Sequence, residues 1–82
     1  MANEDEDLKK RYQAAVERTR MHHSVWTVAL SNVTAADNAA FNGKGSGSTM
    51  EQLDAEDLAR ASYEAALDDE DELRRLMQAA KV

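Results

Sequence analysis

The feature that most constrains this chain is one glycine- and serine-rich segment between two stretches of helix-forming residues. All three glycines of the 82-residue sequence, Gly43, Gly45 and Gly47, lie within it. Glycine tolerates positive φ and loses the most entropy on ordering, so a cluster of glycines marks a turn or a linker. Fifteen alanines and the absence of proline favour helix on both sides. The sequence therefore predicts two helices joined by this loop.

The first half of the chain carries apolar and small residues at alternating steps of four and three. The series is Leu8, Tyr12, Ala15, Thr19, His22, Trp26, Ala29, Val33, Ala36 and Ala40, and Val16, Leu30 and Phe41 widen it on one side. This spacing, held over about four heptads, is typical of the contact face of a packed helix pair or coiled coil. It predicts a helix over residues 4–42, ended by Gly43 in the left-handed conformation.

Two alternatives remain open in this half. Residues 25–30 are the only segment with strong β propensity, and a lone strand there would need pairing from another chain. Ser31, Asn32 and Thr34 are weak helix formers, so a kink near these residues is the second alternative.

The second half begins with overlapping candidate caps. Ser48 and Glu51 have the spacing of a capping box, and Thr49 and Gln52 have it as well. These caps predict a helix over residues 49–80 and leave residues 43–48 as the loop.

The apolar pattern of the second helix is weaker than that of the first. Its apolar positions are Leu53, Leu58, Ala61, Ala65, Ala66, Leu73, Leu76, Met77 and Ala80, with Tyr63 and Leu67 on a neighbouring face. Five successive acids interrupt the pattern: Asp68, Asp69, Glu70, Asp71 and Glu72. Because these acids repel one another, a break near Asp68 is an alternative to one continuous helix.

We therefore expect an all-α protein, a single helical domain over residues 1–82 in which two long helices form a helical hairpin. Two helices leave much of each apolar stripe uncovered, so we expect hairpins to pair into a four-helix bundle. The residues expected at interfaces are Leu8, Tyr12, Ala15, His22, Trp26, Leu30, Val33, Leu58, Leu73, Leu76 and Met77. The expected partner is a second copy of the chain or a larger protein.

Charge and composition narrow the classes of partner. The net charge is −6, and residues 43–82 alone hold five basic against ten acidic residues. An acidic second half disfavours binding to phosphate backbones, so nucleic acid is an unlikely partner. The run from Asp68 to Glu72 is interpreted as a solvated face or a contact for a basic partner protein.

No feature of the sequence indicates export or membrane insertion. The first seven residues lack the basic and apolar regions of a secretory signal. The longest nearly uncharged stretch, residues 24–36, is too short to span a bilayer. With no cysteine there is neither a disulfide nor a thiolate metal site, and we expect a cytoplasmic protein without a membrane partner.

The sequence offers weak candidates for chemistry. His22 and His23 are adjacent, and neighbours on a helix point about 100° apart, so they cannot easily share one metal. Residues 43–49 resemble a phosphate cradle in composition, but the Walker order and a preceding strand are absent. We expect no catalytic residue, cofactor or metal, and we predict that the chain is not an enzyme.

Three function classes follow from these observations. The favoured one is a non-enzymatic interaction or assembly protein, an accessory subunit or small structural or scaffold component. The first alternative is an acidic inhibitor that mimics nucleic acid and blocks a DNA- or RNA-binding protein, although its acids are clustered rather than spaced along a face. The second is a helical regulator that contacts nucleic acid through Lys9, Lys10, Arg11, Arg18 and Arg20.

Overall fold

Two antiparallel helices make up this protein. The structure is a computed structural model that describes residues 3–80, with side chains from Glu6 onward. Helix α1 is Asn3–Phe41 and helix α2 is Met50–Ala80, and residues 3–80 contain no strand. The Cα atoms of this part extend 64 × 17 × 15 Å. The predicted all-α helical hairpin is confirmed.

The helix bounds differ from the predicted bounds by one residue at three of four ends. Helix α1 is continuous through residues 25–34, so the alternative of a strand at residues 25–30 is wrong, while the kink near Ser31, Asn32 and Thr34 stays a prediction. Helix α2 likewise continues through Asp68, so the alternative of a break there is wrong. The free energy gained by forming the helix outweighs the repulsion among the neighbouring acids. Four residues of the predicted single domain, Met1, Ala2, Lys81 and Val82, lie outside the described residues.

Helix α1 ends in a Schellman turn at Gly43. This glycine has φ 78°, and its N–H donates to the carbonyl of Ala40 at 3.0 Å. The N–H of Lys44 donates to the carbonyl of Ala39 at 2.7 Å. These two bonds satisfy carbonyls that the end of the helix would leave unpaired. The prediction of a left-handed Gly43 is confirmed.

We expect Gly43→Ala to lower the free energy of unfolding by about 1 kcal/mol, because a Cβ atom is strained at positive φ. Ser46→Ala in the same loop is the matched control. Among the described residues only glycines have positive φ, so alanine is not strained at position 46 and the free energy of unfolding should stay nearly unchanged. Urea unfolding followed by circular dichroism measures both. Equal stability of the two variants would contradict a special role for Gly43.

Helix α2 begins with the second of the two predicted capping boxes. The N–H of Gln52 donates to Oγ1 of Thr49 at 3.1 Å, and the N–H of Thr49 donates to Oε1 of Gln52 at 2.9 Å. Ser48 has another role, since both its N–H and its hydroxyl donate to Oδ1 of Asp37 at 2.9 Å. Thr49 is therefore the N-cap, and Ser48 ties the loop to α1.

The contact face of α1 coincides with its alternating series of apolar and small residues. Every member of that series is buried or half-buried, whereas most other described side chains of α1 are exposed. The most buried members are Ala15, 1% exposed, and Thr19, 8% exposed. The series that the sequence displays is therefore the side of α1 that α2 covers.

The contact face of α2 does not coincide with its apolar pattern. The face has the same four-three spacing and consists of Gln52, Glu56, Ala59, Tyr63, Ala66, Glu70, Leu73 and Met77, all buried or half-buried. Leu58 and Leu76, which belong to the apolar pattern, are exposed. Polar residues thus occupy positions on the contact face while leucines face outward.

Candidate interaction surface

The interior of the hairpin is narrow because small side chains build most of it. The buried apolar residues are Ala15, Ala59, Ala66 and Leu73. Thr19 is buried among them, and its hydroxyl lies 2.9 Å from the carbonyl oxygen of Ala15 and 3.3 Å from that of Ala66. Small residues at a contact let two helices approach closely. Apart from Leu73, the buried apolar side chains are alanines, so most of the larger apolar side chains lie wholly or partly at the surface.

An aromatic cluster joins the two helices near their middle. The ring centroids of Trp26 and Tyr63 are 5.5 Å apart with an interplanar angle of 13°, a stacked arrangement. The ring of His23 lies 6.1 Å from Trp26 and 5.1 Å from Tyr63. Aromatic pairs in such arrangements stabilise by about 0.5–1.5 kcal/mol beyond the area they bury. The cluster therefore fixes the register of α1 against α2.

Trp26 also anchors a polar contact between the helices. Its indole N–H donates to Oε1 of Glu56 at 2.9 Å, and Oε2 of Glu56 accepts from the guanidinium of Arg60 at 3.2 Å. The Glu56 side chain is only 12% exposed, so these donors replace much of its hydration. This explains how a carboxylate is tolerated on the contact face.

The two histidines occupy different environments. His22 is half-buried on the contact face of α1, as its place in the series implies, but it is His23 whose ring contacts Trp26. Sequence reasoning placed His22 beside Trp26 and missed His23, whose three-residue spacing from Trp26 was the available signal. Among the described residues, no three His, Cys, Asp or Glu side chains are grouped to hold a metal ion.

The five acids expected to form a partner surface do not share one face. Glu70 and Asp71 are half-buried, and both accept hydrogen bonds from Arg74, at 3.4 and 3.0 Å. The other three, Asp68, Asp69 and Glu72, are exposed. Five consecutive residues cover more than a full turn, so their carboxylates necessarily point in different directions.

Arg74 lies near Tyr12 of α1. The Tyr12 hydroxyl, ahead of the charges of Asp71 and Glu70, raises the pKa of Arg74 by favouring the charged guanidinium. Arginine is already charged throughout the accessible pH range, so this shift brings no pH dependence of stability.

The residues expected at interfaces divide into two sets. Those that lie at the contact between α1 and α2 are Leu8, Tyr12, Ala15, His22, Trp26, Val33, Leu73 and Met77. Three others, Leu30, Leu58 and Leu76, are exposed. The first set holds the hairpin together, and the second set is free to contact another molecule.

One side of the hairpin carries a cluster of apolar residues over its central part. A groove of about 310 Å³ brings Val25 and Val28 of α1 together with Ala55 of α2, and its lining also includes the polar residues Asn32, Glu51 and Gln52. Met21 lies one turn before Val25, and Leu58 lies one turn after Ala55, so both continue the same side. We call Met21, Val25, Val28, Ala55 and Leu58 the apolar side face. Its larger members are 53–71% exposed.

Charged residues extend the apolar side face away from the loop. Arg18 lies one turn before Met21, and with Arg11 it lines a groove of about 400 Å³. Asp69 and Glu72 line the same groove from α2. Among the described side chains, neither arginine forms an ion pair within 4 Å. Two cations and two anions thus lie together without direct pairing.

A second group of exposed apolar residues lies on the other side of the hairpin, toward the loop. Its members are Leu30, Phe41, Met50 and Leu53, of which Phe41 is 92% exposed. Leu30 and Phe41 share one side of α1, and Met50 and Leu53 share one side of α2. We call these four residues the loop-end patch.

No helix within residues 3–80 is long and apolar enough to cross a membrane. Comparison with protein-family models, with curated proteins and with solved structures finds no match for this chain. The exposed surface of the hairpin is therefore the basis for assigning a function.

Proposed function

We propose that this hairpin is a non-enzymatic interaction or assembly protein that binds a protein partner through the apolar side face. The observation that carries the proposal is the exposure of Met21, Val25, Val28 and Leu58 along one continuous side. Burying apolar surface contributes about 25 cal/mol per Å², and contiguous exposed apolar surface commonly marks a contact for another protein. The partner is a second copy or a larger protein, and the setting we propose is the cytoplasm.

The two alternative functions have less support. For a nucleic-acid mimic, the acids should form a spaced row, yet Glu70 and Asp71 are engaged by Arg74. For a nucleic-acid-binding regulator, Arg11 and Arg18 should be free to reach phosphate, yet they share their groove with two carboxylates that would repel it. Neither objection applies to a protein partner.

The test compares two double variants of the immobilised hairpin. In Val28→Lys with Leu58→Lys, the apolar side face carries two charges, and in Leu30→Lys with Leu53→Lys, the same change is made on the loop-end patch. All four positions are exposed, so both variants should keep the helical circular dichroism of the wild type. Light scattering reports self-association, and capture from a lysate of the source organism reports other partners.

We expect the side-face variant to lose self-association or a specifically captured protein, and the loop-end variant to retain it. Charged side chains placed in an apolar contact must lose hydration without gaining a partner, which opposes binding. The proposal is wrong if the wild type is monomeric and both variants capture the same proteins as the wild type.

A further inference from the structure

We infer that the apolar side face binds a second copy of this chain, with the two hairpins face to face and both loops at the same end. The inference rests on the proposed function and names its partner. It requires a two-fold axis parallel to the long axis of the hairpin, so that α1 of each copy lies on α2 of the other. Such an isologous contact is the commonest arrangement of homodimers.

The register of the hairpin determines which residues this rotation brings together. Thr19 is level with Ala66, and Asp37 is level with Ser48, as their hydrogen bonds show. A rotation about the long axis leaves every residue at its own level. Each residue of α1 therefore meets, on the second copy, the α2 residues that lie beside it in its own hairpin.

Side-chain size fits this arrangement. Helix α1 presents large apolar residues on the side face, and α2 presents mostly small ones at the same levels. The expected pairs across the dimer are Met21 with Ala65, Val25 with Ser62, and Val28 with Leu58. The first two pairs set a large residue against a small one, which fills an interface without voids or overlap, and the third joins two large apolar residues. The reverse arrangement, with loops at opposite ends and its axis level with Val25, would place Val25 on Val25 and Ser62 on Ser62.

Charge favours the same arrangement. The rotation brings Arg18 to the level of Asp69 of the second copy, and Arg11 to the level of its Glu72. These four side chains have opposite charges and no direct ion pair within one hairpin. With loops at opposite ends, Glu51 would instead approach Glu72 of the second copy, and like charges across an interface oppose association.

The size of the hairpin side is compatible with a dimer. A side whose Cα extents are 64 Å by 17 Å spans roughly 1,000 Å² in projection, and a stable interface of standard size buries about 800 Å² per partner. The apolar side face occupies the centre of that area, with charged residues beyond it, as in the core and rim of known interfaces.

The first experiment measures the dimer dissociation constant by sedimentation at neutral pH. In the Arg18→Glu variant, the new carboxylate faces Asp69 of the second copy at two symmetric positions. Because these like charges repel, we expect the dimer dissociation constant to rise about 10-fold or more. Arg18→Glu combined with Asp69→Arg restores the opposite charges and should recover most of the wild-type affinity. Leu58→Lys should produce monomers, while Leu53→Lys on the loop-end patch should leave the mass of a dimer.

The second experiment measures orientation. The chain has no cysteine, so Ser46→Cys in the exposed loop gives a single site for a spin label. With loops at the same end, packed helices about 10 Å apart should bring the two labels within roughly 30 Å. With loops at opposite ends of a molecule 64 Å long, the label separation would approach that length.

A long separation, a monomeric wild type, or a dimer insensitive to Leu58→Lys would each overturn this inference. The broader proposed function fails separately, since it predicts loss of some captured protein by the side-face variant even when the wild type is monomeric. The two failures are therefore distinguishable with the same set of variants.

Discussion

Ala15→Leu should lower the free energy of unfolding by about 2–3 kcal/mol. Ala15 is 1% exposed, the least exposed of the buried apolar side chains, and it lies where α1 and α2 approach through small residues. A larger side chain there must push the helices apart or take a strained rotamer, and overpacking of this kind typically costs about 1–3 kcal/mol. A small domain has only about 5–15 kcal/mol of stability, so the loss is a large fraction.

Ala14→Leu is the matched control for this prediction. Ala14 is the neighbouring residue, is exposed, and undergoes the same chemical change on the same helix. Alanine and leucine have similar helix propensities, so we expect a change below about 0.5 kcal/mol. Thermal and urea unfolding by circular dichroism at one protein concentration compare the pair. If both variants lose the same stability, close approach of the helices at Ala15 is refuted.

Trp26→Ala should destabilise the hairpin by about 3 kcal/mol, and Trp26→Phe by about 1 kcal/mol. The alanine variant loses the stacking on Tyr63, the buried ring area and the hydrogen bond to Glu56. The phenylalanine variant keeps a smaller ring to stack but loses the N–H that donates to Glu56 and part of the indole's packing. Arg60 remains as a donor to the carboxylate in both variants.

Far-ultraviolet circular dichroism measures this series, because the variants lack the tryptophan fluorescence of the wild type. Thr27→Ala, at the exposed neighbouring position, serves as the control and should change stability little. A phenylalanine variant as unstable as the alanine variant would show that stacking of a single ring on Tyr63 contributes little to the contact.

The parts of the fold that the sequence predicted well depend on local chemistry. Gly43 ends α1 because glycine adopts positive φ without strain, and this conformation allows the two backbone hydrogen bonds that close the helix. All the residues involved are neighbours in the sequence. The contact face of α1 was visible because its members, from Tyr12 to Val33, are mostly apolar or small at a regular spacing.

The contact face of α2 was not visible in the same way. Gln52, Glu56 and Glu70 lie on it, although their residue types indicate exposure. Each side chain finds a specific hydrogen-bond partner: Gln52 accepts from the N–H of Thr49, Glu56 accepts from Trp26, and Glu70 accepts from Arg74. The pattern of apolar residues in a sequence cannot identify a polar residue whose burial depends on a hydrogen bond to another group. The apolar side face was missed because the packing of α2 on α1 decides which apolar residues remain exposed.

The sequence by itself determined that the chain is helical, where it turns, and which side of α1 is covered, since these depend on backbone preference and on spacing within one helix. The tertiary structure decided which side of α2 packs on α1, in what register, and which apolar residues remain exposed. The hydrogen bonds that set this register join distant residues: Trp26 and Glu56 are 30 positions apart in the chain, and Thr19 and Ala66 are 47 apart. Contacts between residues so far apart leave no periodic trace in the sequence, so only the packed pair of helices reveals them.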